Sequence, residues 1–302
     1  MKFTIYQESR IGKRSSNQDR VAYCYSRDAL LMVVADGMGG HLQGEVAAQI
    51  AVQYITEAFQ RHATPALVDP FMFLSRALSN AHHAILDYAT DQGLPEAPRT
   101  TCVACVVQKN VAYWAHSGDS RLYVLRNGRM LAQTRDHSRV QMLLEQGLID
   151  AAAAAVHPAR NRVFSCLGGT HAPQIDFSRK TPLKTADVLA LCTDGVWAPV
   201  GNELLVRSLA GANPMISVPR LLSQVELRAG ETGDNLSMIA MQWGENYPED
   251  TLGSVSTRTM PLNTFTTKMG DFGKERVTPE LSEDDIERAI SEIRSAIKKY
   301  SD

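Results

Sequence analysis

The chain has 302 residues, of which 44 % are apolar and 21 % charged, and its formal net charge is −2. This length allows one large domain or two ordinary ones, and the composition is that of a globular protein with a substantial core. The near-neutral charge gives no bulk attraction to nucleic acid or to an anionic membrane, so neither is expected as a partner.

The start of the chain predicts no signal peptide. Residues 1–8 contain no apolar run, and charged residues appear too early for a secretory leader. No apolar run in the chain approaches the roughly 18 residues that cross a bilayer. The five cysteines are odd in number and scattered, which argues against a disulfide framework. We therefore expect a soluble, cytoplasmic protein. Cys102 and Cys105 lie three positions apart in one predicted strand, so their thiols should point to opposite faces.

The first half of the chain predicts a strand, two helices and then a run of strands. Residues 30–35 form a continuous apolar run. Apolar residues recur at helical spacing over 43–61 and 70–88. Strands are then predicted over 101–107, 111–116 and 121–125, and Asn127-Gly128 is typical of a type I′ hairpin turn.

The second half predicts a mixture of helices and strands. A helix is expected over 138–146, and the Ala-rich residues 151–155, followed by His157-Pro158, indicate a mobile surface flap. Further strands are predicted near 174–177 and over 187–193 and 236–243, with helices over 203–209 and 214–228. Because strands and helices come in runs, the pattern favours an α+β fold with antiparallel sheets over alternating βαβ units.

The composition changes after Trp243. Residues 245–279 are rich in Thr, Ser, Pro and Gly without an apolar period, which predicts a flexible linker. Residues 280–302 predict an amphipathic helix with a capping box at Ser282 and Asp285 and an apolar stripe. That stripe either packs on its own domain or contacts a partner. The predicted organisation is a main domain over 1–244, the linker and the C-terminal helix.

Acidic residues stand where the apolar strands begin or end. A carboxylate in that position is costly to desolvate unless it is paired or binds a cation. Because rigid strand ends can bring such groups together, the pattern predicts a cluster of hard oxygen ligands, which is a metal site. Its members are Asp19, Asp36-Gly37, Gly118-Asp119, Asp194-Gly195 and Asp234-Asn235.

An all-carboxylate ligand set suits Mn²⁺ or Mg²⁺ and argues against a thiolate zinc site. Carboxylates this close together could not all ionise without cations. Two divalent ions roughly 3.5–4 Å apart would neutralise them and generate a hydroxide nucleophile between them. Arg14, five residues before Asp19, is a natural clamp for phosphate oxygens. The combination predicts phosphoester hydrolysis by in-line attack.

Five motifs, in this order, resemble those of the metal-dependent Ser/Thr phosphatases of the protein phosphatase 2C family, bacterial branch. The resemblance extends over roughly residues 1–244, and five motifs in sequence are far more specific than any one alone. They are Arg14-Ser15-Ser16-Asn17-Gln18-Asp19, Ala35-Asp36-Gly37-Met38-Gly39-Gly40-His41, Ser117-Gly118-Asp119-Ser120-Arg121, Cys192-Thr193-Asp194-Gly195 and Gly233-Asp234-Asn235.

The resemblance implies a four-layer αββα sandwich of two antiparallel sheets flanked by helices. It implies phosphorylated proteins as substrates and a cognate Ser/Thr kinase as the opposing partner. It also implies a role for each site residue. Asp36 would bridge two metals, with the Gly37 carbonyl on one of them and Asp194 and Asp234 on the other. Asp19 would hold a metal-bound water, Asp119 with Asp194 would serve a third, weaker metal, and Arg14 would hold the substrate phosphate.

The chain departs from the family pattern at three places. Met38 stands where animal members carry a histidine proposed as the general acid, which leaves the proton donor unassigned. Arg99 replaces the glycine usual before Thr100-Thr101. The segment over 161–168 resembles the family only loosely after the flap. These departures put substrate preference in question.

Two other functions stay open from the sequence. One is a non-catalytic phosphoprotein-binding module that has kept the fold; loss of ligands would favour it, and none is lost. The other is a metal-dependent phosphoesterase for small molecules, because specificity would lie in the flap and surface grooves rather than in the acidic residues.

Overall fold

The computed structural model describes residues 1–38, 43–244 and 253–270. The strands within these residues are β1 (Lys2–Arg10), β2 (Asp19–Tyr25), β3 (Ala29–Met38), β4 (Arg99–Thr100), β5 (Cys102–Gln108), β6 (Val111–Ser117), β7 (Arg121–Arg126), β8 (Arg129–Gln133), β9 (Asp176–Phe177), β10 (Thr181–Pro182), β11 (Val188–Cys192), β12 (Leu236–Trp243), β13 (Ser254–Ser256) and β14 (Thr266–Met269). The helices are α1 (Gly44–His62), α2 (Pro70–Asp91), α3 (Arg139–Glu145), α4 (Ala151–Ala155), α5 (Asp194–Leu209) and α6 (Pro214–Ala229).

The strands form two antiparallel sheets. The first has the order β13-β1-β12-β11-β7-β8, and the second has the order β10-β6-β5-β3-β2-β14, with β4 added to β3 and β9 to β6. One apolar layer lies between the two sheets, a second lies between the second sheet and α1 and α2, and a third lies between the first sheet and α5 and α6. The predicted α+β class and the αββα sandwich implied by the resemblance are confirmed.

The central strands are apolar throughout because both of their faces are covered. Alternate residues of β3 enter different layers: Leu30 and Met32 face the other sheet, whereas Leu31 and Val33 face the helices. The same alternation separates the two neighbouring cysteines of β5. Cys102 packs under the helices and Cys105 packs between the sheets, as predicted.

Most predicted helices begin and end within a few residues of the observed bounds, but α5 begins nine residues before the predicted 203–209. Gly195, Pro199 and Gly201 make residues 194–201 a poor helix by propensity. Gly201, with a φ of 68°, breaks the helix into a short first part and the part that was predicted. The first part forms nonetheless because Val196 is buried against the first sheet.

The predicted linker over 245–279 is wrong for residues 253–270, which complete both sheets. β13 pairs with β1, and β14 pairs with β2. Thr257 is 1 % exposed, and its hydroxyl donates to the carbonyl of Arg27 at 2.6 Å. Phe265 packs edge-on against Phe59 of α1 at 6.3 Å. A Thr-rich segment without an apolar period can still form edge strands, because the sheet supplies its hydrogen-bond partners.

These contacts predict that the stable domain extends beyond residue 244 to at least residue 270. A chain ending at Gly244 should melt roughly 5–10 °C below one ending at Gly270, since losing about 2–3 kcal/mol of burial and hydrogen bonding shifts Tm by about 2–4 °C per kcal/mol. Differential scanning calorimetry of the two chains at matched metal concentration measures this difference. Equal melting temperatures would show that the two edge strands add nothing to stability.

The predicted amphipathic helix over 280–302 lies outside the described residues. The helix predicted over 138–146 is α3, which is capped by the side chain of Ser138. The Ala-rich segment predicted as a flap contains the five-residue α4, which is capped by the side chain of Asp150. Within the described residues, no helix is long and apolar enough to cross a membrane.

Candidate active site

Four of the five predicted acidic residues line one cleft of about 320 Å³ at an end of the sandwich. They are Asp36, Asp119, Asp194 and Asp234, and Arg14, Gly37 and Met38 line the same cleft. Asp19 lies behind this lining and is buried. The antiparallel register places Asp19 directly opposite Asp36, so it borders the cleft from within the second sheet. The convergence predicted from the sequence is therefore present.

The acidic residues come from both sheets. Asp19 and Asp36 belong to β2 and β3 of the second sheet. Asp194 is the first residue of α5, directly after β11, and Asp234 lies two residues before β12, so both belong to the first sheet. Asp119 lies in the turn from β6 to β7, which connects the two sheets. The cleft thus crosses the seam of the sandwich, that is, the boundary between its two sheets.

Hydrogen bonds from neutral groups hold the acidic residues in place, and these hydrogen bonds were not predicted. The Thr193 hydroxyl donates to Asp19 Oδ2 at 2.9 Å, and the indole Nε1 of Trp197 donates to the backbone oxygen of Asp119 at 3.0 Å. The Thr101 amide donates to the Asp36 carbonyl at 2.8 Å. Thr193 lies within the quoted motif Cys192-Thr193-Asp194-Gly195, and Thr101 begins the strand predicted over 101–107, but nothing in the sequence indicated their hydrogen bonds.

Asn235 organises the loop that carries Arg14. Its side-chain nitrogen donates to the carbonyls of Ile11 and Ser16, and its side-chain oxygen accepts from the Gln18 amide at 2.9 Å. A guanidinium nitrogen of Arg14 lies 2.7 Å from Asp234 Oδ2. Because the Arg14 side chain is 56 % exposed, its remaining donors face the open cleft.

Glycine is required at position 37 by a close backbone approach. A Cβ atom on Gly37 would lie 2.2 Å from the carbonyl oxygen of Gly44 and 2.7 Å from that of Gln18. The approach brings the start of α1 against the end of β3. The Asp-Gly dipeptide therefore reflects packing at the cleft rather than a simple turn.

Burial and crowding raise the pKa values of the carboxyl groups. Burial raises the pKa of Asp19 to about 7, and the charges of Asp194 and Asp234 add to the shift against hydrogen bonds from Ser237 and Thr193. Burial, with the charge of Asp234, raises the pKa of Asp194 to about 6. The pKa values of Asp36 and Asp119 are raised well above their usual range, first by burial and then by neighbouring carboxylates.

The cleft fits divalent cations. Its lining contains four carboxylates but, within the described part of the chain, Arg14 as the single cationic side chain. The donors are oxygen atoms, which hard cations such as Mn²⁺ and Mg²⁺ prefer. Among the described residues, no three of these carboxylates bring one oxygen each within 4.8 Å of the others.

These shifts predict an unusual pH dependence of the metal-free protein. Because the folded-state pKa values of Asp19 and Asp194 exceed the unfolded value of 3.8, the folded state binds more protons, and this contribution to stability is lost as pH rises from about 4 to about 7. The increase in Tm on adding Mn²⁺ should therefore be larger at pH 7.5 than at pH 5. Scanning calorimetry in EDTA and in Mn²⁺ at both pH values tests this; an equal increase at both would contradict it.

The comparisons with known proteins agree with this geometry. A family model described as protein phosphatase 2C matches residues 6–223. The serine/threonine phosphatase stp of Listeria welshimeri is 32 % identical over 185 residues, which cover 61 % of this chain and 73 % of that protein. PstP, a serine/threonine protein phosphatase of Mycobacterium tuberculosis, is 31 % identical over 226 residues, which cover 75 % of this chain and 42 % of PstP.

Solved structures show the same fold. The crystal structure of Mycobacterium tuberculosis PstP/Ppp has a TM-score of 0.70 and 30 % identity, covering 81 % of this chain and 100 % of that chain. The catalytic domain of PstP in complex with two manganese ions has a TM-score of 0.67 and 29 % identity, covering 80 % of this chain and 98 % of that chain. With a family model matched over most of its length, the chain belongs to the protein phosphatase 2C family.

Proposed function

We propose that this chain is a protein Ser/Thr phosphatase that hydrolyses phosphoserine and phosphothreonine with two Mn²⁺ or Mg²⁺ ions and so opposes Ser/Thr kinases. The convergence of Asp36, Asp194, Asp234 and Arg14 at one cleft carries the proposal. The names of the stp and PstP relatives and the manganese complex of PstP support it.

The proposal assigns each ligand a place. Asp36 would contact both ions, with the Gly37 carbonyl on one and Asp194 and Asp234 on the other. Asp19 would act through a water molecule, and Asp119, with Asp194, would serve a third, weaker ion. When bound, the two central ions would supply a hydroxide nucleophile at neutral pH and neutralise charge on the phosphate.

The side chains of the chain position the substrate. Arg14 would bind two phosphate oxygens with its planar fork, which requires it to release Asp234 as that carboxylate takes up an ion. Thr193 would keep Asp19 oriented and ionised, since its hydroxyl donates to that carboxylate. Met38 lines the cleft where a proton donor stands in animal members, and a thioether has no proton to give. The proposal therefore assigns no side chain as the general acid.

Peptide and protein substrates phosphorylated by a Ser/Thr kinase test the proposal. Phosphate release should require Mn²⁺ or Mg²⁺, stop in EDTA and return when Mn²⁺ is restored. Binding of the phosphopeptide without turnover in Mn²⁺ would indicate the non-catalytic module instead. Faster turnover of small phosphoesters than of phosphopeptides would indicate a small-molecule phosphoesterase, and turnover unaffected by EDTA would exclude the metal mechanism.

A further inference from the structure

A second cluster of metal-binding residue types lies outside the acidic cleft. His116 is in β6 and faces Asp176 of β9 in the antiparallel register. His137 lies between β8 and α3, and its ring stacks on that of His116 with centroids 4.7 Å apart. One potential ligand atom from each of these three side chains lies within 4.8 Å of the other two. In the described part of the chain, this is the one group of three such residues that approaches so closely.

His116 has one ring nitrogen that is free to bind an ion. Its Nε2 lies 2.7 Å from the carbonyl oxygen of Arg135, so Nε2 carries the proton and donates it. Its Nδ1 is left unprotonated, and among the described residues it has no hydrogen-bond partner although the side chain is buried. Burial lowers the pKa of His116, which keeps the ring neutral at pH 7. A histidine with one nitrogen fixed by a carbonyl and the other free is arranged like a metal ligand.

His137 contributes a second buried nitrogen beside a carboxylate. Its Nε2 has no aligned hydrogen-bond partner within the described residues, and the side chain is 2 % exposed. The same atom lies 3.2 Å from Asp176 Oδ2. Two ligands held about 2.0–2.1 Å from a tetrahedral ion are separated by roughly 3.3 Å, which is close to this distance. Asp176 is 39 % exposed and so gives an ion a route from solvent.

We propose that His116, His137 and Asp176 form a second metal site, selective for Zn²⁺ or a similar borderline ion rather than for Mn²⁺ or Mg²⁺. Two imidazole nitrogens and one carboxylate oxygen form a set that Zn²⁺ commonly uses, with water in the remaining position. The acidic cleft, with oxygen donors, has the opposite preference. The two sites are therefore expected to bind different cations, because their ligand atoms differ.

Ion binding at this site requires a change of tautomer at His137. The Gly118 amide donates to His137 Nδ1 at 3.3 Å, so neutral His137 holds its proton on Nε2. An ion on Nε2 requires that proton to move to Nδ1, with no net change in protonation, and this long hydrogen bond is then lost.

Cobalt spectroscopy tests the site without any activity measurement. The full chain is saturated with Mg²⁺ to fill the acidic cleft and then titrated with Co²⁺, whose visible absorption is strong in four-coordinate sites with nitrogen ligands and weak in six-coordinate oxygen sites. We expect one equivalent of strongly absorbing Co²⁺, which one equivalent of Zn²⁺ displaces. Because no substrate is present, this result is independent of whether the proposed phosphatase function holds.

Two variants locate the signal. His116→Ala and Asp176→Asn should each weaken Co²⁺ binding by at least about 10-fold, since even removal of an outer hydrogen-bond partner of a ligand costs about 10–100-fold. Asp176 is partly exposed, so Asp176→Asn should fold even if His116→Ala does not; circular dichroism checks both. His82→Ala, which removes another buried histidine away from the cluster, should leave the spectrum unchanged. A Co²⁺ spectrum that is weak in the native chain, or unchanged in folded Asp176→Asn, would overturn the proposal.

Discussion

Asp194→Asn is expected to remove phosphopeptide hydrolysis while raising the melting temperature of the metal-free protein. The activity loss should exceed the about 10–100-fold that follows removal of an outer hydrogen-bond partner of a metal ligand, because Asp194 would contact the ion itself. The gain in stability has a separate cause. Burial and the charge of Asp234 raise the pKa of Asp194 to about 6, so at pH 7.5 the carboxylate is ionised in an environment that disfavours its charge, and this lowers the stability of the folded protein.

The opposite signs of the two effects make the test specific. Scanning calorimetry in EDTA should show a higher Tm for the variant, by about 2–4 °C for each kcal/mol of repulsion relieved, and addition of Mn²⁺ should raise its Tm less than that of the native protein. Asp187→Asn is the matched control, since Asp187 is buried away from the cleft and paired with Arg126 at 2.6 Å. That control should lose stability with or without metal and keep its metal-dependent turnover. A lower Tm for Asp194→Asn in EDTA would contradict the electrostatic argument.

Arg14→Ala is expected to lower kcat/KM by about 10²–10³-fold while tightening the binding of Mn²⁺. The first effect is the size expected when a donor to the developing charge on the phosphate is lost. The second follows from the 2.7 Å contact between Arg14 and Asp234, because removing the guanidinium frees a carboxylate for the ion. Arg14→Lys should retain part of the rate, since a lysine keeps the charge but lacks the planar fork.

Steady-state kinetics on a phosphothreonine peptide and Mn²⁺ titration calorimetry separate the two effects. Lys13→Ala is the matched control, because Lys13 is the neighbouring cation and its exposed side chain reaches Glu231 at 3.4 Å. Surface pairs of this kind contribute little, so turnover and Mn²⁺ affinity should stay unchanged. Equal kcat/KM for Arg14→Ala and Lys13→Ala would remove Arg14 from the proposed substrate site.

The elements predicted well are those whose own residues carry a regular apolar pattern. The amphipathic pattern over 43–61 appears as α1, and the apolar run over 236–243 is β12 with the same bounds. The start of α5 was missed because two glycines and a proline lower the helix propensity of residues 194–201, and the burial of Val196 and Val200 is not visible in the local sequence. Tertiary contacts decide there, and a local pattern does not contain them.

The acidic residues could be predicted because a carboxylate beside a buried strand is chemically conspicuous. Their supports could not: Thr193 and Trp197 reach Asp19 and Asp119 through contacts 174 and 78 positions apart in the chain. The edge strands β13 and β14 were missed for a related reason. They depend on hydrogen bonds offered by β1 and β2, and their own residues carry no apolar alternation.

The position of the cleft across the seam of the sandwich has a consequence for cooperativity. Ions shared by Asp36 of one sheet and by Asp194 and Asp234 of the other would cross-link the two layers, so the sheets could not separate without releasing them. A ligand that binds only the closed arrangement stabilises it by RT ln(1 + [L]/Kd). When Mn²⁺ is added, amide hydrogen exchange should then slow in the central strands of both sheets together. Opening of either sheet would have to break the same contacts between the ions and the carboxylates.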